Sequence, residues 1–359
     1  MDKKGKIGQH SAEKLRVYRE YIDGYLSVLT NAPNFKNINV IDLFAGMGVS
    51  ENEKRGSALI AAELVSDFSE KVKAAEKFKG EKNLQLFLNE KSPKYYKKLR
   101  ENLAKYSFAK VSNRPADDFV KEIFAPGGAV LGNMKDSISL FFIDPHGYTQ
   151  LSHDSLEKIF GGDGKTFGGG KIEILLFVPT TSVYRFKKTK VAREFMADLG
   201  VEEAAINDIN SHVSWAKMVV QGLRKKAATD FVFDYNLENH EANYSAYHLF
   251  FVSWHVKGGE KFLEARKKSR EQNNQQSFLG WEDPLMSETL RAILSKEMTN
   301  QELYFEIIKS EYLPSQVRPV LVKMEKQGVL KVRPNPARRK SAYYLDIKPK
   351  VILHMRIDP

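Results

Sequence analysis

Three apolar runs in this sequence end in residues that could hold a ligand or do chemistry. Asn39-Val40-Ile41-Asp42-Leu43-Phe44-Ala45-Gly46-Met47-Gly48 closes a hydrophobic segment with an acid and two glycines. Glycines at that spacing let the backbone turn sharply and approach a ligand where any Cβ would intrude. Leu84 to Leu88 ends in Asn89-Glu90, and a carboxylate at the tip of a second parallel strand can accept from ribose hydroxyls. Ser139 to Ile143 ends in Asp144-Pro145-His146-Gly147-Tyr148, which sets a carboxylate beside a proline carbonyl, two acceptors with no covalent nucleophile. Asp117, after the weaker segment 109–114, could accept from the exocyclic amine of a purine or cap a helix over 117–124.

The string Asp42-Leu-Phe-Ala-Gly-x-Gly48 resembles the first motif of S-adenosylmethionine-dependent methyltransferases. The resemblance implies that Asp42, Phe44, Ala45, Gly46 and Gly48 wrap the methionine end of S-adenosyl-L-methionine. Glu90 would then take its ribose and Asp117 its adenine. Asp144-Pro145 stands where amino-group methyltransferases carry Asp/Asn-Pro-Pro-Tyr/Phe. In that motif the acid and the proline carbonyl accept the two amine protons, so the nitrogen lone pair stays aimed at the methyl carbon while an aromatic ring stacks on the base. The catalytic set so implied is Asp144, Pro145, His146 and Tyr148. Here His146-Gly147 replaces the second proline, and Tyr148 lies one position late. Two other glycine readings fail. No third glycine follows Gly48 at the dinucleotide spacing, and Gly161 to Thr166 lacks the first glycine of a phosphate loop, since residue 159 is Ile.

The elements that must position these residues follow from periodicity. Ser11 is the expected cap of a helix to about Thr30, with Leu15, Tyr18, Ile22, Tyr25, Leu26 and Leu29 on one face. Largely apolar runs at 38–44, 84–88, 139–143 and 172–179 read as buried parallel strands, with 109–114 a weaker one. Residues 187–228 read as a helical insertion with several cations that are candidates for touching substrate. Segments 231–235 and 247–254 read as an antiparallel pair, as methyltransferase sheets usually finish. The predicted fold is α/β, a Rossmann-like doubly wound class I methyltransferase sheet over 1–270. A polar stretch lacking periodic apolar residues places a linker at 271–283. Residues 284–347 then read as three helices and two strands around a basic tip, a C-terminal winged helix-turn-helix, with 348–359 as a tail. Ser315, Gln316 and Arg318 would open its groove-entering helix. Arg333, Arg338, Arg339 and Lys340 would meet phosphates of DNA.

Composition narrows the chemistry. The 359 residues include no cysteine, which excludes disulfides, thiolate metal sites and a cysteine nucleophile in this polypeptide; no metal site is read. Cytosine-C5 methylation, which shares the glycine loop but needs that nucleophile, is excluded for the chain acting alone. The net charge is +11, and Pro284 to Pro359 holds 14 Lys and Arg against 8 Asp and Glu, so a polyanionic partner is expected. No apolar run is long enough for a membrane span and no secretory signal opens the chain, so a soluble cytoplasmic protein is expected.

Together these stretches resemble the three-Cys-motif partner protein family, methyltransferase-like proteins with an appended winged helix. The resemblance rests on Glu13-Lys-Leu-Arg-Val-Tyr-Arg-Glu-Tyr21, Ile41 to Gly48, Gly56-Ser-Ala-Leu-Ile-Ala-Ala62, Phe142-Ile-Asp-Pro-His-Gly147 and His248-Leu-Phe-Phe251. It covers roughly 11–260 and implies a partner protein that carries the cysteines, of the radical-SAM-like kind. The expected activity is methyl transfer from S-adenosyl-L-methionine to an exocyclic amine of a nucleobase. Rival readings are a non-catalytic sensor or adaptor using the winged helix, and a methyltransferase of RNA, protein or a small molecule.

Overall fold

Long buried strands and the helices between them alternate through most of the chain. The computed structural model describes residues 9–50, 53–74, 82–125, 136–145, 147, 149–160, 171–207, 209, 211–237, 247–272, 284–333, 343, 345–348 and 351–355. The chain forms two units, Met1–Lys261 and Phe262–Pro359.

The larger unit runs α1 (Gln9–Asn31), β1 (Asn37–Asp42), α2 (Ser57–Ala74), β2 (Asn83–Asn89), α3 (Pro93–Asn102), β3 (Ala109–Ser112), α4 (Ala116–Ile123), β4 (Ser137–Ile143), α5 (His153–Phe160) and β5 (Lys171–Val178). It continues α6 (Thr180–Arg185), α7 (Lys190–Asp198), α8 (Glu203–Ile206), α9 (His212–Lys226), β6 (Phe231–Leu237), β7 (Tyr247–Ser253) and the start of α10 (Val256–Gln272). Every residue of β4 is buried, which is why Leu140 to Ile143 is a continuous apolar run rather than an alternating one.

The seven strands lie in the order β3-β2-β1-β4-β5-β7-β6. β1 pairs in parallel with both β2 and β4, Val40 lying beside Leu86 on one side and Leu140 on the other. β7 is antiparallel to β5 and to β6, the finish the sequence predicts. The chain moves outward from β1 to β3 and then returns to the far side of β1 for β4. At that reversal the loops leaving two neighbouring strand tips diverge, and a crevice opens at their carboxyl ends. This is the doubly wound sheet expected from the buried runs.

α1 lies on this sheet. It begins at Gln9, two residues before its expected cap, and ends where Thr30 Oγ1 bonds back to Leu26 O and Pro33 blocks a further turn. Tyr18 packs on Phe142 with ring centres 4.2 Å apart, and Tyr21 meets Phe251 edge-on at 4.9 Å. Tyr21 Oη donates to Glu173 Oε2 at 2.5 Å, while Ser253 Oγ donates to Glu173 Oε1 at 2.8 Å. A carboxyl group buried in mid-sheet needs such donors, because desolvating it unpaired is costly. The link ties α1 to β5.

The smaller unit contains the end of α10, then α11 (Pro284–Ile293), β8 (Met298–Thr299), α12 (Asn300–Lys309), α13 (Pro314–Lys326), β9 (Leu330–Arg333) and β10 (Ile352–Met355). Its sheet has the order β8-β10-β9, with both pairs antiparallel. Thr299 caps α12 as expected: its hydroxyl accepts from Glu302 N at 3.2 Å, and the Glu302 carboxylate accepts from Thr299 N at 2.7 Å. Leu303, Ile307, Val317, Leu321 and Leu353 are fully buried and form its interior.

Two boundaries differ from the sequence reading. The strand that pairs with β9 comes from the segment read as a tail, where Val351 and Leu353 are buried. α10 continues to Gln272, so the helix reaches into the stretch read as linker. α5 had no counterpart in that reading. The linker residues 273–283, the loop 161–166 and the basic start 1–8 lie outside the described residues. Among the described residues no helix is long and apolar enough to cross a membrane.

Removing the Tyr21 hydroxyl takes one donor away from a buried carboxyl. Tyr21→Phe is expected to lower the stability of the larger unit by about 2 kcal/mol, read as a lower urea midpoint by circular dichroism. An unchanged midpoint contradicts the anchoring role.

Candidate active site

The crevice between β1 and β4 is built around Asp42, the last residue of β1 and fully buried. Its Oδ1 accepts from Phe44 N at 3.0 Å and its Oδ2 from Ser57 Oγ at 2.6 Å. One carboxylate thus joins the strand end, the start of the glycine loop and the first residue of α2. The loop closes on itself where Gly56 N donates to Gly48 O at 2.7 Å. Asn89 braces it from β2: its carbonyl accepts from Ala45 N at 2.9 Å, and its Nδ2 donates to Leu43 O at 3.3 Å and Arg114 O at 3.1 Å. Asn102 Nδ2 holds Met47 O at 2.7 Å.

Gly46 and Gly48 have φ of 63° and 79°, the left-handed region that penalises a side chain. The two glycines do different work. A Cβ on Gly48 would press on Leu99 at 3.2 Å, whereas a Cβ on Gly46 would have nothing within 4 Å. Gly48 therefore makes the turn possible, and Gly46 leaves open space at the tip of β1.

Asp144 stands at the neighbouring tip of β4, its side chain 24% exposed. Lys14 of α1, nearly buried, forms an ion pair with Asp144 Oδ2, and its ammonium also lies 4.2 Å from the centre of the Phe177 ring. Asp144 Oδ1 and the Pro145 carbonyl accept no hydrogen bond among the described residues. Among the described residues the site thus has two acceptors without donors on adjacent residues, with the remaining carboxylate oxygen pinned. His146 and Tyr148 lie outside the described residues.

The two acids influence one another. Burial pushes the Asp42 carboxyl up to about 7; the bonds from Ser57 and Phe44 pull it down, the charge of Asp144 raises it, and that of Lys14 lowers it. Burial, with a smaller push from Asp42, holds the Tyr18 phenol well above its ordinary range. Tyr18 Oη and Asn89 Oδ1 are buried polar atoms without a hydrogen-bond partner among the described residues. Such orphans at a crevice with open space suit a polar ligand.

The other expected ligands are partly committed elsewhere. Glu90 Oε1 accepts from Ser92 N at 2.7 Å, ahead of α3, which leaves Oε2. Asp117 does not cap α4, whose N-cap is Pro115. Its Oδ1 instead accepts from Ser152 N, Ser152 Oγ and Ser155 Oγ at 2.9, 2.9 and 2.6 Å, fastening the start of α5. Burial raises the Asp117 carboxyl, but those bonds and Lys121 outweigh it and hold it below the usual range. In the smaller unit Ser315 and Arg318 are exposed on the first turns of α13. Gln316 Oε1 is spent on Leu313 N at 2.9 Å, and Arg333 is paired with Glu297. Arg338, Arg339 and Lys340 lie outside the described residues.

Sequence reasoning missed Lys14, Tyr18 and Asn89 as site residues. The available signal was the stripe Lys14, Tyr18, Tyr21, Tyr25, in which a cation occupies a position on the buried face of α1.

No protein-family model matches the chain, and no curated protein matches it. Among solved structures, protein LPL1258 from Legionella pneumophila is similar at 11% identity and a TM-score of 0.40, over 73% of this chain and 92% of that one. TYW2 of M. jannaschii, solved with AdoMet, is similar at 13% identity and a TM-score of 0.31, over 68% and 77%. The plantazolicin methyltransferase BamL, solved with a triazolic desmethylPZN analog and SAH, is similar at 8% identity and a TM-score of 0.34, over 68% and 86%. All three scores are low, and the ligands belong to those proteins.

The displaced titration of Asp42 has a consequence for stability. The folded chain keeps this proton to about pH 7, whereas the unfolded chain releases it near 3.8, the ordinary value of an aspartate. Between those values the native state binds more protons, so the Asp42 contribution to stability falls as pH rises, by about 1.4 kcal/mol per unit in mid-window. Asp42→Asn should flatten the stability–pH curve of urea unfolding across that window, whatever constant offset it adds. A slope equal to that of the wild type contradicts the assignment.

Proposed function

We propose that the larger unit is an S-adenosyl-L-methionine-dependent methyltransferase acting on the exocyclic amine of a nucleobase, and that the smaller unit is a DNA-binding winged helix-turn-helix. One observation carries the reading. Where the strand order reverses between β1 and β4, a glycine turn with open space at Gly46 and an acid with one oxygen pinned by Lys14 stand on neighbouring strand tips.

In this reading the glycine loop, kept rigid by Asp42 and Asn89, receives the methionine end of the cofactor, whose bound form supplies an electrophilic methyl group. Phe44 and Ala45 shape the same loop. Glu90 offers Oε2 to the ribose, and Asp117 has only Oδ2 left for the adenine amine. Asp144 Oδ1 and the Pro145 carbonyl would accept hydrogen bonds from the two N–H groups of the target amine, which keeps its lone pair out of conjugation and aimed along the transfer axis. Lys14 fixes the rotation of the Asp144 carboxylate by holding Oδ2. His146 as a substrate contact and Tyr148 as a stacking ring enter from the family resemblance alone. Catalysis by positioning suits a chain with no cysteine, and a target inside a duplex has to be flipped out of the stack.

The winged-helix reading is supported by the order α11-β8-α12-α13-β9-β10 and by a three-stranded antiparallel sheet beside α13. In this reading Ser315 and Arg318 would read a groove, with Gln316 contributing its remaining amide nitrogen; Arg333, Arg338, Arg339 and Lys340 would meet phosphates. A cysteine-bearing, radical-SAM-like partner and a cytoplasmic location belong to the same proposal.

Tritiated methyl transfer from S-adenosyl-L-methionine to DNA, RNA and protein, followed by nucleoside analysis, tests it. The wild type is expected to label an amino-substituted base, and Asp144→Ala to lose roughly a hundred-fold in rate while still binding duplex DNA. No transfer by the wild type to any acceptor, with duplex binding intact, replaces the enzyme with an adaptor.

A further inference from the structure

Directly after β5 and Pro179, α6 leads into a turn that carries an unusual set of side chains. Between Thr180 and Arg193 there are five Lys and Arg and no Asp or Glu. Among the described residues of the larger unit, the exposed large apolar side chains are Phe186 and Val191, both 48% exposed and both in this stretch. Single exposed apolar residues are ordinary, but two of them gathered with a run of cations are not a random surface.

The turn is also built to hold Phe186 in water. Phe186 N donates to Ser182 O at 3.1 Å, and its carbonyl accepts from both Thr189 N and Thr189 Oγ1 at 2.8 Å. Lys187 turns inward, donating to Ile209 O and lying 4.8 Å from the centre of the Tyr184 ring. Lys190 has only a long exposed contact with Glu194 at 3.7 Å, and Arg193 is paired with Glu203. Arg185 and Lys188 are exposed and have no ion-pair partner among the described residues. A phenyl ring on a hydrogen-bonded turn, flanked by unneutralised cations, is the pairing of stacking platform and phosphate contacts used on single strands. α6 spans only about 9 Å, at 1.5 Å per residue, so this platform begins one short helix away from Phe177 and Lys14.

We infer that the 185–191 turn binds single-stranded nucleic acid next to the target base, with a base stacked on Phe186 and phosphates on Arg185, Lys188 and Lys190. The inference rests on the methyltransferase reading for what happens to the target, but not for the binding itself. It gives the larger unit its own grip on nucleic acid, separate from that of the winged helix. A base flipped from a duplex, or one in an unpaired loop, leaves neighbours that such a platform can hold.

Fluorescence anisotropy of the full chain with labelled oligothymidylate and oligouridylate of about twelve nucleotides tests it. Phe186→Ala should weaken single-strand binding roughly ten-fold, Phe186→Tyr should restore it, and duplex binding should not change. Arg185→Glu with Lys188→Glu should flatten the salt dependence by about 0.7 per lost phosphate contact. Circular dichroism and calorimetry with S-adenosyl-L-methionine keep fold and cofactor binding in view. A wild type that binds the cofactor but no single strand overturns the inference. So do variants that bind single strands like the wild type, or an acidic peptide bound as tightly as an oligonucleotide of equal charge. A wild type that binds the oligonucleotides through Phe186 yet ignores the cofactor overturns the methyltransferase reading and leaves this surface standing.

Discussion

A buried carboxyl group with both oxygens in use, Asp42, is the constraint on which the rest of the crevice depends. It sits at the end of a strand buried on both faces, and it is tolerated there because Phe44 N and Ser57 Oγ replace the water it has lost. Those two bonds decide where the glycine loop starts and where α2 begins. The geometry at Gly46 follows from them. Without that brace, two left-handed glycines would make a loose turn rather than a fixed cradle.

The second constraint comes from far along the chain. Lys14 and Asp144 are 130 residues apart, and their pairing makes α1 part of the crevice wall rather than a helix merely packed on the sheet. The aromatic contacts of Tyr18 and Tyr21 and the buried Glu173 bridge set the height at which Lys14 arrives. The charges at the two strand tips therefore interlock: Lys14 offsets Asp144, and both act on Asp42. A cationic or amine-bearing ligand entering such a site meets oriented carboxylate oxygens rather than loosely hydrated ones, which is how positioning becomes chemistry.

Much of the sheet was legible in the sequence, because strands buried on both faces must be continuously apolar and because Ala-Gly-Met-Gly cannot continue a strand. The strand tips carrying Asp42 and Asp144 were legible for the same reason. What each acid does was not. Asp117 is fastened to Ser152 and Ser155, and Glu90 caps the approach to α3; both uses depend on partners that no local spacing announces. Lys14 could have been suspected only as a charge in line with three buried tyrosines. In the smaller unit the closing strand was taken for a tail, since Val351 to Met355 is a short apolar run after an ill-marked loop, and only its pairing with Leu330 to Arg333 gives it a place.

The central claim is that the cradle at Gly46 receives a sulfonium cofactor, and calorimetric titration of the full chain with S-adenosyl-L-methionine and S-adenosylhomocysteine tests it most directly. The account predicts one site per chain for each, with Gly46→Val losing both while the far-UV spectrum is retained, because a side chain there fills the open space and strains a backbone at φ 63°. Heat-silent titrations of a well-folded wild type with both compounds, confirmed by equilibrium dialysis, would contradict it.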